Sequence, residues 1–278
     1  MSTSLPEAQH SSPPRLRQVP IYRCTVLAPK HRNHAVVIPV INEGERIRSL
    51  LMRMKEVGIA DIADIIIVDG GSTDGSLAES FLKQHDVSAL LVKTGPGKLS
   101  AQLRCAYDFC LDAGYTGIVT IDGNNKDDPA PIPAFIEALE RGVDFVQASR
   151  FISGGFAENT PLSRYIAIRL IHAPLLSLFS GFGWTDTTQG FRAYSRSLLV
   201  DPGIDVFRDV FDGYELLAYL SYRAPKLGFR CVELPTARCY PKGEVPTKIS
   251  SFRGNLKVMQ VLLATIAGRY NPAHRSEA

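Results

Sequence analysis

Five short apolar runs, at 35–41, 64–68, 89–92, 117–121 and 144–148, recur along the chain with room for a helix between each pair. Helical periodicity fills those gaps over 45–57, 76–85, 98–113 and 131–141. Runs that are apolar at successive positions suit strands covered on both faces, and strand–helix alternation suits a mainly parallel sheet. Ligands of such sheets bind beyond the carboxyl ends of the strands. The polar clusters fall at those ends: Asn42 and Glu43, then 69–74, then 122–128. The pattern predicts an α/β fold with one crevice.

Composition narrows the class. At 278 residues, 45% hydrophobic and 21% charged, the chain is an ordinary globular one, which excludes collagen-like, disulfide-scaffold and wholly disordered classes. The net charge is +3, but residues 1–34 hold +4 and residues 238–278 hold +5, leaving −6 for residues 35–237. An acidic body argues against a nucleic-acid groove; basic ends suit an anionic surface. Five cysteines without CxxC spacing suggest neither a zinc site nor a disulfide framework, and so a reducing, cytoplasmic compartment. Residues 1–33 have no apolar leader core and are expected to form a disordered or loosely attached tail. The main domain is expected over 34–240, with a basic loop and amphipathic helix over 241–278.

No stretch reaches the roughly 20 uninterrupted apolar residues that a membrane span needs. Two segments instead read as interfacial helices. In the first, Ile166, Leu170, Ile171, Leu175 and Leu178 oppose Arg169 and His172. In the second, Phe252, Leu256, Met259, Leu263 and Ile266 form a stripe, with Arg253 and Lys257 off it. His172 reads as a helix-face residue, not a ligand.

Two motifs carry chemistry. VDGGSTDG at 68–75 follows a buried run; its glycines let a ligand approach, and Asp69 can accept hydrogen bonds from a base or ribose. A turn with a helix N-cap at Ser72 or Asp74 would use the same residues. IDGNNKDDP at 121–129 crowds oxygen groups at a strand end, which suits a hard divalent cation that also holds phosphates. An Asx-rich turn would look alike.

These motifs, in this order, resemble the family 2 inverting glycosyltransferases of the GT-A fold, nearest to the dolichyl-phosphate mannosyltransferase and polyprenyl-phosphate glycosyltransferase branch. VVIPVINEGERI (36–47), IIIVDGGSTDGS (65–76), GPGKLSAQLRCAYDFC (95–110), QASRFISGG (147–155), DTTQGFRAYSR (186–196) and the stretch 211–243 extend the likeness over about four-fifths of the chain. The resemblance implies transfer of a hexose from a GDP- or UDP-linked sugar to a polyprenyl or dolichyl phosphate at the cytoplasmic face of a membrane, with homo-oligomers possible. It implies that Pro39, Glu43, Asp69 and Lys98 line the donor pocket. Gln189 and Arg192 would lie near the sugar. Asp122 would hold Mg2+ or Mn2+ on the diphosphate. Here the sequence departs from the family's DxD pattern: Asn124 stands where a second acid is expected, and Lys126 follows. Either Asp127 or Asp128 completes a weakened metal site, which is the expectation, or Lys126 partly replaces the metal. Arg150 and Arg164 would face the acceptor phosphate, and Lys242 and Lys248 would form a basic acceptor loop. Transfer to a sugar hydroxyl would instead need a base, for which Asp186 is the better candidate and Asp212 the other. A catalytically silent nucleotide-sugar-binding subunit is the remaining alternative.

Overall fold

A computed structural model describes residues 17–241 and 252–273. The strands among them are β1 (Tyr22–Val26), β2 (His34–Val40), β3 (Asp64–Asp69), β4 (Val87–Lys93), β5 (Gly117–Thr120), β6 (Phe145–Ser149), β7 (Phe156–Glu158), β8 (Arg192–Ser195), β9 (Cys231–Pro235) and β10 (Ala237–Cys239). The helices are α1 (Glu45–Glu56), α2 (Glu79–Gln84), α3 (Leu99–Asp112), α4 (Ile132–Glu140), α5 (Leu162–Ile166), α6 (Ala173–Ser180), α7 (Arg196–Val200), α8 (Glu215–Lys226) and α9 (Phe252–Ile266). A stretch of π-helix, Ala167–His172, joins α5 to α6.

Eight strands form one sheet in the order β1-β4-β3-β2-β5-β8-β6-β9, and β7 pairs with β10 beside it. The β4-β3-β2-β5 block is parallel, while β8 runs antiparallel between β5 and β6. The apolar runs bury both faces. In β2, Ala35 and Val37 point into a core shared with α3 and α8, whereas Val36, Ile38 and Val40 point into a core shared with α1 and α4. This is the mixed, mainly parallel α/β sheet that the sequence predicts.

Pro39 sits in central β2, where a missing N–H would normally break a ladder. Pairing of β2 with β5 ends at Val37 and Thr120, and beyond it the Pro39 carbonyl accepts from Gly123 N at 3.4 Å. The proline therefore falls just past the ladder with β5, while staying in register with Val68 of β3.

Two boundaries differ from expectation. Helix α2 begins at Glu79, not Ser76, because Asp74 accepts from Ser76 N and Oγ and from Gly44 N, which holds 74–76 in a turn. Residues 17–33 are not a loose tail. Strand β1 pairs antiparallel with β4 from Tyr22↔Lys93 to Val26↔Ala89, and Arg17 bridges Asp108 and Asp112. Arg104 also donates to the Gln18 carbonyl.

Removing residues 1–26 would strip the edge from β4 and leave Asp108 without its Arg17 and Tyr22 partners. We expect a loss of about 2 kcal/mol or more, a fall in Tm of about 4–8 °C, read by thermal unfolding. An unchanged Tm would mean that β1 adds nothing.

Candidate active site

The carboxyl ends of β2, β3 and β5 bring three expected groups to one place. Asp69 ends β3 opposite Val40, and both of its oxygens accept from Ser72, with N at 2.9 and 3.0 Å and Oγ at 2.6 Å. Glu43 is buried and accepts from Arg46 Nε at 2.9 Å. Gln102, which no motif flags, donates to the carbonyls of Val40 and Val68 and so fixes the two strand ends together. Lys98 is exposed at the start of α3, in a turn whose Gly97 has φ +100°; a Cβ there would collide with Ala101 and lie 2.8 Å from Asp212 Oδ1. The turn thus docks on the loop before α8, with the Lys98 amide donating to the Asp212 carbonyl.

The segment after β5 is held from two sides. Arg53 of α1 donates to Asn125 Oδ1 at 3.0 Å and to Asp128 Oδ1 at 2.8 Å. On the other side the segment runs along β10, with Asp128 N donating to the Ala237 carbonyl and Cys239 N to the Lys126 carbonyl. That pairing carries Arg238 inward. Its Nη1 is bonded to Asp127 Oδ2, and its Nη2 lies 3.5 Å from Asp122 Oδ2. Asp127 is fully buried. Burial opposes the charge on Arg238, but Asp127 and Asp122 outweigh it and raise its pKa, so the guanidinium stays protonated.

Cations gather around Tyr240. Lys126 Nζ lies 5.1 Å from its ring centroid, and the guanidinium carbons of Arg238 and Arg164 lie at 5.7 and 5.9 Å. Arg164 Nη1 donates to the Tyr240 hydroxyl at 3.0 Å. Burial pushes the phenol up, yet Arg238 and Arg164 overcome it and bring its pKa down to about 8.

Several expected site residues are engaged within the protein. Asp186 is fully buried and saturated: Arg150 Nε reaches Oδ2 at 2.7 Å, Arg150 Nη2 reaches Oδ1 at 3.1 Å, and Gln189 Nε2 reaches Oδ2 at 2.9 Å. A carboxylate so held is not a general base. Arg150 spends one edge on Asp186, and its buried Nη1 has no hydrogen-bond partner. Arg192, expected near the sugar, is fully buried and donates to the carbonyls of Gln189, Leu217 and Thr187 at 2.6–2.8 Å, so it shapes the 187–189 loop from beneath. Gln189 is likewise buried, between Asp186 and Thr236. Glu233 holds the same loop by accepting from Thr185 N and Asp186 N. His172 is on a helix but faces inward, bonded to Thr187 Oγ1 at 2.6 Å. Lys242 and Lys248 lie outside the described residues.

The expected cation ligands do not converge. Asp127 is closed off by Arg238, Asp128 is held by Arg53, and Asn124 turns its amide nitrogen to Asp122 Oδ2 at 3.4 Å. Among the described residues no group of three His, Cys, Asp or Glu side chains could hold a metal. These protein side chains by themselves do not assemble a site for a divalent cation. No motif in the sequence flags Arg53 or Tyr240, and only the basic excess of the C-terminal segment hints at Arg238.

Residues 35–201 match glycosyl transferase family 2. The chain belongs to that family. It is 30% identical over 203 residues, 72% of its length and 75% of the relative's, to a polyprenol monophosphomannose synthase of Mycolicibacterium smegmatis. It is 28% identical over 201 residues, 72% of its length and 80% of the relative's, to an undecaprenyl-phosphate mannosyltransferase of Micrococcus luteus. Among solved structures, glucosyl-3-phosphoglycerate synthase of Mycobacterium tuberculosis with Mn2+ and UDP superposes at a TM-score of 0.53 and 18% identity, covering 84% of this chain and 80% of that one. Mannosyl-3-phosphoglycerate synthase of Rubrobacter xylanophilus superposes at 0.58 and 15% identity, covering 85% and 73%. The fold is GT-A, and the protein is a glycosyltransferase.

An ultraviolet difference titration should show one tyrosine ionising near pH 8, a signal absent from Tyr240→Phe. If every tyrosine ionises near 10, the cation cluster is not assembled around the ring. His172 supplies a second pH test. Burial lowers its pKa to about 4, with Arg192 adding to the effect. The unfolded chain therefore takes up a proton near 6.5 while the native state does not, and stability falls as pH drops from about 6.5 to 4, by about 3 kcal/mol. His172→Gln should flatten that part of the stability profile.

Proposed function

We propose that this glycosyltransferase moves one hexose, with inversion, from a GDP- or UDP-linked sugar to a polyprenyl or dolichyl phosphate at the cytoplasmic face of a membrane. The observation that carries the reading is helix Leu162–Ser180, 19 residues that place a phosphate-seeking arginine and an apolar outer face on one element. Arg164 points to the Tyr240 cluster, while Leu162, Leu170 and Leu178 are 72%, 69% and 76% exposed, with Tyr165, Ile166 and Phe179 also exposed. Ile168, His172, Ala173 and Leu176 pack inward. A continuous apolar face of this size calls for a partner, and acyl chains are the chemistry it matches. The relatives named for polyprenol and undecaprenyl-phosphate mannose transfer support the same acceptor.

The second expected stripe divides. In α9, Val261, Leu262 and Thr265 are buried and Met259 and Ile266 pack against the core, while Leu256 and Leu263 face outward. The Phe252 side chain lies outside the described residues. Helix α9 is therefore in part a core helix, and the lipid-facing role falls mainly to 162–179.

The chemistry follows from charge. A phosphate acceptor is already anionic, so its oxygen can attack the anomeric carbon without a base. Arg164 and the unpartnered Nη1 of Arg150 would orient it by charge-assisted bonds. Transfer to a hydroxyl would need a free carboxylate; Asp186 is not free, which leaves only the exposed Asp212 of the two candidate bases.

The test is transfer of labelled hexose from a donor panel to a short polyprenyl phosphate in liposomes. Arg164→Ala should lower kcat/KM for the lipid phosphate by about tenfold to a hundredfold, with a smaller effect on donor hydrolysis by water. The double change Leu170→Ser, Leu178→Ser should release the protein from anionic vesicles with Tm unchanged, since both side chains already face water. Retained vesicle binding by that variant would remove the lipid-facing helix from the argument.

A further inference from the structure

At the end of β5 most of the oxygens that a divalent cation would use are engaged within the protein, and Asp127 Oδ1 is buried without a partner. Asp122 Oδ1 packs against Gly190, where an added Cβ would collide with it, and Oδ2 faces Arg238 Nη2 at 3.5 Å and Asn124 Nδ2 at 3.4 Å. Asn124 Oδ1, the neutral oxygen left in the motif, accepts from Lys126 N at 3.2 Å. Asp127 has no exposed surface and holds Arg238 Nη1. The charge that a metal would bring is present on side chains instead: Arg238 is fixed to within bonding distance of the motif acids, and Lys126 stands on the same segment beside the Tyr240 ring.

We propose that Arg238, with Lys126, does the electrostatic work of the divalent cation, so that the chain binds the diphosphate of a nucleotide sugar without metal; this rests on the glycosyl-transfer reading above. The long Arg238–Asp122 contact leaves Nη2 with donor capacity for a phosphate oxygen, while Asp127 anchors the other edge of the guanidinium. Asp122 then acts as a positioning residue, steering Arg238 and Asn124. In the transfer step an acceptor phosphate oxygen forms a bond to the anomeric carbon. The bond from that carbon to the donor's β-phosphate oxygen breaks, and the nucleoside diphosphate leaves with the electron pair. No proton moves. The extra negative charge develops on the oxygen nearest the fixed cations, where a preorganised guanidinium stabilises it.

The experiment is calorimetric binding of UDP and of GDP to the full chain, once in EDTA and once with Mn2+ or Mg2+, beside transfer assays in the same buffers. At least one nucleotide should bind in EDTA within about threefold of its affinity with metal, and transfer should persist. Lys126→Gln should weaken binding in EDTA by about tenfold to a hundredfold, the loss expected of one charge-assisted contact. Arg238→Gln should do the same; because it strands the buried Asp127, its circular dichroism is compared with wild type, and if it does not fold Lys126→Gln decides. The double change Asn124→Asp, Lys126→Gln should restore an acid, remove a cation and make binding depend on added Mn2+. Binding and transfer that appear only with metal in the wild type would overturn the inference and leave the transferase reading standing. If neither nucleotide binds and no transfer occurs in either buffer, both fall together.

Discussion

Arg238 is withdrawn from water with its guanidinium on Asp127 and near Asp122, so the loop after β5 and strand β10 cannot part without exposing a buried charge imbalance. Separating such a pair by removing one partner typically costs about 3–5 kcal/mol. The two segments lie far apart in sequence, and this contact is what brings Lys126, Tyr240 and, through Tyr240, Arg164 into one cluster. The same principle recurs a few residues away. Asp186 and Arg150 form a second buried pair, and Glu233, Thr188 and Gln189 bond to its loop. The crevice floor is therefore a pair of charge-locked loops laid over the carboxyl edge of the sheet.

What the sequence makes legible is whatever is repeated locally. AVVIPVI and DIIIV are buried on both faces, so their composition alone identifies them as central strands, and the Asp, Asn and Gly residues that follow mark the crevice. Strand β1 escapes because it is an edge: Arg23, Cys24 and Val26 are exposed, and a half-solvated strand lacks the apolar run that identifies the others. Strand β8 escapes because RAYS is four residues long and opens on an arginine. Arg192 also shows the limit of motif reading. A basic residue in a functional stretch suggests an anion, yet here the nearest acceptors are three carbonyls, and only the packing of the 187–189 loop over α8 reveals that. Arg238 was invisible for another reason. Its partners sit more than a hundred positions upstream, and no spacing rule spans that distance.

Helix Leu162–Ser180 carries a pattern that was legible and a direction that was not. Periodicity separates Leu170 and Leu178 from Arg169 and His172 correctly, but it cannot say which set meets the protein. The inward position of His172 is fixed by Thr187, and that of Arg169 by the Thr185 carbonyl at 3.4 Å and the Phe151 ring. With Arg169 and His172 turned to the domain beside Ile168, Leu175 and Leu176, the remaining apolar residues Leu162, Ile166, Leu170 and Leu178 are left outside. The turn of π-helix, Ala167–His172, holds both polar groups. Helix α9 behaves in the ordinary way, burying Val261 and Leu262, so two segments that look alike in sequence divide into one outward-facing and one core element.

The state of the carboxylates bears on the nature of the nucleophile. Around the crevice Asp69 accepts from Ser72, Glu43 from Arg46, Asp128 from Arg53, Asp186 from Arg150, and Asp122 and Asp127 share Arg238. Asp212 lies outside this set, exposed beside the Gly97 turn. General-base catalysis requires a lone pair free to take a proton and within reach of the attacking oxygen. A carboxylate that holds a guanidinium is a poor base, because protonating it would weaken that ion pair. A site in which so many acids are engaged in this way favours a nucleophile that arrives ionised, and a phosphate does so at neutral pH. In the proposed reaction the arginines and lysine around Tyr240 would serve both anions, holding the incoming phosphate on one side and the departing diphosphate on the other, with the sugar passing between two oxygens of like charge.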